Sequence, residues 1–101
     1  MNRHVCIIQA RLTSSRLPNK VLLKIGEHEA LWHVISRCWY AFGRANTVIA
    51  IPSTASNDTL ASWLDAKRVR FIRGPEEDVW ARYIIAALAV GVEAMDWIVR
   101  V

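Results

Sequence analysis

Apolar positions along this chain alternate between two patterns. Contiguous runs such as Val5-Cys6-Ile7-Ile8 and Val48-Ile49-Ala50-Ile51 read as strands buried on both faces, as in the middle of a parallel sheet. Between them, Leu31, Val34, Ile35 and Cys38 recur at i, i+3, i+4 and i+7, the spacing of one helix face. Residues 4–10, 47–51, 69–72 and 97–101 therefore predict four strands, and residues 21–25 a short extended segment closed by Gly26. Residues 29 to about 42 predict a first helix ended by Gly43, and Leu60, Trp63 and Leu64 mark a second. A third starts at Glu76, Glu77 and Asp78, where negative charge suits the helix dipole, and runs through Trp80, Tyr83, Ile84, Ala87 and Leu88 towards Gly91. The resulting β-α-β-α-β-α-β order predicts an α/β fold, a mainly parallel sheet with helices on both faces, in one single portion over residues 1–101.

Ligands of such sheets bind beyond the carboxyl ends of the strands. Three polar loops are expected on that edge: residues 10–20, 53–58 and 74–78. The first carries Arg11, Arg16 and Lys20 with Thr13, Ser14 and Ser15, a density of cations and hydroxyls that suits an anion such as a nucleotide phosphate chain. It contains no glycine and matches neither the Walker pattern nor the G-x-G-x-x-G fingerprint, so its phosphate contacts are expected from side-chain forks and hydroxyls, with or without some backbone N–H groups. Pro18 stiffens the segment.

The net charge of +4 changes this picture little, because the cations gather in one loop rather than along a stripe. That distribution favours a compact anion over nucleic acid. No apolar run approaches the ~20 residues of a membrane span, and no signal peptide precedes the first strand, so a cytoplasmic location is expected. Cys6 and Cys38 fit no metal or redox spacing and read as small buried hydrophobes, while His4, His28 and His33 share no ligand spacing. Asn57 and Asp58 read first as helix caps, and Asp78 either as a helix-start charge or as a ligand contact, with Arg82 spaced to pair with it at i,i+4. Trp32 and Trp39 form a second stripe on the first helix, either packed within the domain or placed at an interface.

The stretch Ile8-Gln9-Ala10-Arg11-x-x-Ser14-x-Arg16-Leu17-Pro18-x-Lys20-Val21-Leu22 resembles the signature of the sugar-nucleotide cytidylyltransferases, which make CMP-activated 3-deoxy-manno-octulosonate and sialic-type acids. His33-Val34-Ile35-x-Arg37 resembles the family's first helix. Arg73-Gly74-Pro75-Glu76-Glu77-Asp78-Val79-x-Ala81-Arg82-Tyr83 is similar to a second signature, that of the spore coat polysaccharide biosynthesis branch of the SpsF type. The resemblance implies a nucleotide-diphospho-sugar transferase-like, Rossmann-like fold. It implies that Ala10 and Arg11 meet the cytidine and its phosphates, that Ser14, Arg16 and Lys20 hold the triphosphate, and that Gly74 and Asp78 lie near the base or ribose. It also implies attack by a hydroxyl of an acidic sugar on the α-phosphorus of CTP, with Mg²⁺ bridging phosphate oxygens.

The departures matter as much. In the family a magnesium-binding aspartate follows a strand like Ile98-Val99-Arg100-Val101, and this chain ends before it; Asp96 falls at the strand's other end. Glu27 to Ala30 also differ from the family's frequent Gly-Lys-Pro-Leu. The expectation is therefore a portion truncated after about the fourth strand, inactive alone, with the acceptor site and much of a dimer interface missing. Its bare fourth strand and helices predict self-association into a homo-oligomer. A nucleotide-binding or regulatory module without chemistry is the alternative, and nucleic-acid binding a weaker third, since no aromatic residues interleave with the loop's cations.

Overall fold

A computed structural model describes residues 4–12, 20–91 and 97–101. Its elements are strands β1 (His4–Gln9), β2 (Lys24–Ile25), β3 (His28–Glu29), β4 (Thr47–Pro52), β5 (Phe71–Gly74) and β6 (Trp97–Arg100), with helices α1 (Ala30–Phe42), α2 (Asp58–Ala66) and α3 (Val79–Ala89). β1, β4, β5 and β6 form one parallel sheet in the order β5-β4-β1-β6. Strand progression thus runs outward from β1 through β4 to β5, and α3 carries the chain back to the other side of β1. Right-handed crossovers place α1 and α2 on one face and α3 on the other.

Core composition follows from that arrangement. Alternate residues of the central strands supply two apolar layers. Cys6, Ile8, Ile49 and Ile51 pack with Leu31, Ile35 and Cys38 of α1 and Leu60 and Leu64 of α2. Val5, Ile7, Val48 and Ala50 pack with Ala86 of α3 and with Val90 just beyond it. Every residue of β4 is buried, which is why its sequence is apolar on both sides. Each large aliphatic side chain sealed there contributes roughly 1.5–3 kcal/mol.

Local signals set the helix ends. Gly43, at φ 90°, stops α1 in a conformation that disfavours other residues, and its N–H closes on Trp39 O at 2.9 Å. Asp78 caps α3, its Oδ1 accepting from Ala81 N at 2.9 Å.

Four readings of the sequence change. Residues 21–25 are not one extended segment: Lys20–Leu22 is a 3-10 turn, and β2 then pairs antiparallel with β3 around Gly26 at φ 72°. The third strand lies two residues later than residues 69–72. Val69 N and Lys67 N instead reach back to Leu64 O and Trp63 O and close the end of α2. Asn57 stands at the cap position of α2 without capping it by its side chain. Arg82 does not reach the Asp78 carboxylate, which is taken by Ala81 N; its own guanidinium bonds elsewhere.

The tryptophan stripe packs within the domain, against the α1–α2 core. Trp32 meets Trp39 and Trp63 edge-to-face at 5.5 and 6.3 Å, and Arg44 and Lys67 cap the cluster, 4.5 Å from the Trp39 ring and 5.2 Å from the Trp32 ring. Trp63 Nε1 donates to Glu29 at 3.0 Å. Glu29's own backbone hydrogen bond, then this bond, hold its carboxyl below the ordinary value.

Cys6 and Cys38 are both buried and free. Burial, reinforced by a hydrogen bond with Cys38, pushes the Cys6 thiol up to about 12. The unfolded chain ionises this thiol earlier than the folded one, so folding stability is unaffected below the ordinary thiol pKa of roughly 8.5–9 and declines as pH rises above it towards 12. Folded protein at pH 8 is expected to resist iodoacetamide at Cys6, read by mass spectrometry, whereas unfolded protein is alkylated. Rapid labelling of Cys6 in the folded state contradicts this.

Candidate functional site

The strand order reverses between β1 and β6, which puts the crevice of an open α/β sheet at the carboxyl end of β1. Here the chain is gripped from both sides. Gln9 N donates to Val101 O, and Ala10 N to Ala50 O, each at 3.1 Å. Ala10 is buried, Arg11 exposed and Leu12 buried again. Leu12 N donates to Asn57 Oδ1 at 2.8 Å, and Asn57 Nδ2 to Thr54 Oγ1 at 2.9 Å. Fully buried Asn57 therefore pins the start of the basic loop to the loop after β4.

The loop after β5 is held as firmly. Gly74 O accepts from Ser53 N at 2.8 Å. Arg73 spans the gap between loops, donating to Pro52 O and Thr54 O and pairing with Asp58 at 3.0 Å. A Cβ at Gly74 would stand 2.9 Å from Arg82 Cγ and 3.1 Å from Ile85 Cδ1, so glycine is what lets α3 pack against this strand end. Arg82 is only 4% exposed. Its Nη1 donates to Pro75 O and Glu76 O at 2.7 and 2.6 Å, and its Nε to Gln9 Oε1 at 2.9 Å. One guanidinium thus ties the third loop to the end of β1.

Ala10, Arg11, Gly74 and Asp78 all fall on this one edge, as expected of a convergent site. Gln9, Ala10, Arg11, Val21, Val79 and Arg82 line a cleft of about 340 Å³. A smaller one of about 210 Å³ adjoins it on the α1 side, between Ala10, Leu31, Val34 and Val101. Gly74 and Asp78 border this region through Arg82 and the start of α3 rather than lining the larger cleft. Ser14 and Arg16 lie outside the described residues, as does the side chain of Lys20, whose backbone opens the 3-10 turn. Gln9, Asn57 and Arg82 emerge as site-building residues that the sequence did not single out for that role. The available signal was a polar or charged side chain in an otherwise apolar run, as for Gln9 after Val5-Cys6-Ile7-Ile8.

The donor set for magnesium is not assembled by what is described. Among the described residues no group of three or more His, Cys, Asp or Glu is placed to hold an ion. Asp58 is engaged by Arg73 and Asp78 by Ala81 N, so no metal-dependent step is assigned to them. No described helix is long and apolar enough to cross a membrane. The outer side of α3 and β6 does expose apolar groups, with Trp80 73% and Leu88 76% exposed beside a groove of about 400 Å³ lined by Tyr83, Ile84 and Ile98.

A doubly wound parallel sheet with a cleft at the switch point, and a sequence rich in cations just after the first strand, defines a Rossmann-like α/β protein. Within that class the assignment is specific: the cytidylyltransferase family profile matches residues 5–101, and the chain belongs to that family. It is similar to the spore coat polysaccharide biosynthesis protein SpsF of Bacillus subtilis (strain 168), 36% identical over 94 residues that cover 89% of this chain and 39% of the relative. An uncharacterised protein of Methanocaldococcus jannaschii is 32% identical over 81 residues, covering 80% of this chain and 33% of its own length. Among solved structures, a cytidylyltransferase of Leptospira borgpetersenii superposes with a TM-score of 0.84 at 27% identity, over 100% of this chain and 41% of the other. A CMP:2-keto-3-deoxy-manno-octonic acid synthetase complexed with CTP superposes with a TM-score of 0.70 at 25% identity, over 98% and 40%. The chain thus spans about two fifths of the length of most of these relatives.

Proposed function

We propose that this chain is the CTP-binding portion of an enzyme system that makes a CMP-activated acidic sugar for surface polysaccharide. The observation that carries this reading is that Ala10 and Arg11, at the start of the basic loop, line the cleft at the end of β1, in a chain of the cytidylyltransferase family. The synthetase with CTP bound and the polysaccharide protein SpsF, both similar to this chain, support the nucleotide and the product class.

In this reading Ala10 and Arg11 receive the nucleotide at the mouth of the cleft, and Ser14, Arg16 and Lys20 hold its triphosphate. Gly74 and Asp78 frame the nucleoside side by setting how α3 packs and starts. Arg11 supplies a fork of donors that a phosphate accepts, and its charge offsets the charge that moves onto the departing pyrophosphate. The acceptor's hydroxyl oxygen forms a bond to the α-phosphorus as the bond to the bridging oxygen of pyrophosphate breaks, and the hydroxyl proton passes to water. The residues that bind the acceptor sugar, and any step through magnesium, are assigned to no described residue of this chain.

Calorimetric titration with CTP, ATP, GTP, UTP and a single-stranded oligonucleotide tests the reading. Wild-type protein is expected to prefer CTP, and Arg11→Ala to weaken CTP binding at least tenfold, since a charge-assisted phosphate contact is worth roughly 1.5–3 kcal/mol. Arg11 is exposed, so its loss leaves the melting temperature within about 4 °C. Equal affinity for all polyanions, with steep salt dependence, overturns the assignment.

A further inference from the structure

Gln9 is half-buried at the end of β1 and lines the cleft beside Ala10 and Arg11. Its amide is not free to turn. Oε1 accepts from Arg82 Nε at 2.9 Å, and the flipped amide would set an NH₂ group against the guanidinium, donor against donor. Arg82 is itself fixed by Pro75 O and Glu76 O. Gln9 Nε2 is thereby committed as a donor, yet it is buried and has no hydrogen-bond partner among the described residues. A buried donor left unpaired is costly, and sites built around such groups discriminate strongly for ligands that satisfy them.

We infer that Gln9 Nε2 is a specificity-determining donor for the nucleobase of the bound nucleotide, with Arg82 as the positioning residue that holds the amide in this orientation. The inference rests on the CTP-binding reading and adds to it the group that reads the base. A neutral amide suits a neutral acceptor, and Ala10, Val21 and Val79 give the cleft apolar walls against which a flat pyrimidine ring packs. Cytosine offers such acceptors at its ring nitrogen N3 and its carbonyl oxygen. The phosphates, in contrast, are served by the cations of the basic loop.

The test compares wild type, Gln9→Met and Gln9→Glu by calorimetry with two probes, CTP and inorganic tripolyphosphate. Methionine keeps the length of the side chain and removes the donor. It is expected to weaken CTP binding tenfold or more while tripolyphosphate affinity stays within twofold. Glutamate keeps an acceptor for Arg82 Nε, which preserves the fold should the methionine variant not fold, and it is expected to weaken CTP more than tripolyphosphate. Unchanged CTP affinity, or equal losses for both probes, overturns the role of Gln9. Failure of the wild type to bind CTP overturns the nucleotide reading instead, and this inference with it. Arg82→Lys, which keeps the charge but loses the fork, is expected to lower the CTP-to-tripolyphosphate preference in the wild-type background and to leave it unchanged when Gln9 is already methionine. A further drop in preference in that double variant removes Arg82 from the positioning role.

Discussion

Replacing Arg82 by methionine is expected to lower the unfolding free energy by about 2–4 kcal/mol, among the largest effects of any single polar change in this chain. The side chain is 4% exposed and donates to Gln9 Oε1, Pro75 O and Glu76 O. Methionine fills the aliphatic part of the space but leaves those acceptors without their donor. Hydrogen bonds from a charged group are worth more than neutral ones, and the acceptors at half-buried Gln9 and Glu76 regain less from water than the one at exposed Pro75. Some of the loss is offset, because a buried guanidinium facing neutral acceptors is itself expensive to desolvate. The shift is measurable as a change in urea midpoint at constant m, or as a drop in melting temperature of about 8 °C or more for a domain of this size. A change below 1 kcal/mol shows that the guanidinium contributes little net stability. Gly74 bears on the same point: with Arg82 Cγ 2.9 Å from where its Cβ would stand, glycine at 74 and arginine at 82 occupy one packing unit.

How far the sequence reveals this site depends on the range of the interactions. Strands β1 and β4 are legible because a parallel strand covered on both faces must be a contiguous apolar run. Helix α1 is legible because Leu31, Ile35 and Cys38 keep helical spacing and Gly43 stops them. β5 is misplaced by two residues because Val69 is apolar and buried for another reason: it seals the end of α2, with Arg68 at φ 57° making the reversal. The β2–β3 hairpin is hidden because a two-residue ladder is too short to show alternation. The polar framework is hidden for a different reason. Arg82 meets Gln9 across 73 residues of sequence and Asn57 meets Leu12 across 45, and no local pattern encodes such partners. Motif resemblance gives roles to Ala10, Arg11, Gly74 and Asp78; Gln9 and Arg82 stand inside the same signatures without a role, and Asn57 lies outside both.

Asn57→Leu is the second large effect, expected at about 1–3 kcal/mol, and it separates scaffold from site. Asn57 is fully buried, and leucine repeats its branched outline with bulkier methyl groups, so some overpacking adds to the main loss: Leu12 N is left without the acceptor it has at 2.8 Å in a place water does not reach. Leu12 stands one residue beyond Arg11, and its amide is the last described tie before the rest of the basic loop. Freeing it raises the entropy that CTP binding must remove from that loop, so affinity is expected to fall along with stability. Asn57→Asp restores the acceptor at Leu12 N while giving up the donor to Thr54 Oγ1, and it is expected to recover the protection of that amide while adding a negative charge beside the start of the basic loop. Hydrogen exchange followed at Leu12 provides the reading: faster exchange in the leucine variant, with wild-type protection in β4, localises the effect to this brace. Unchanged protection at Leu12 in Asn57→Leu means that the loop is anchored by other contacts, and the weakening of CTP binding is then not expected either.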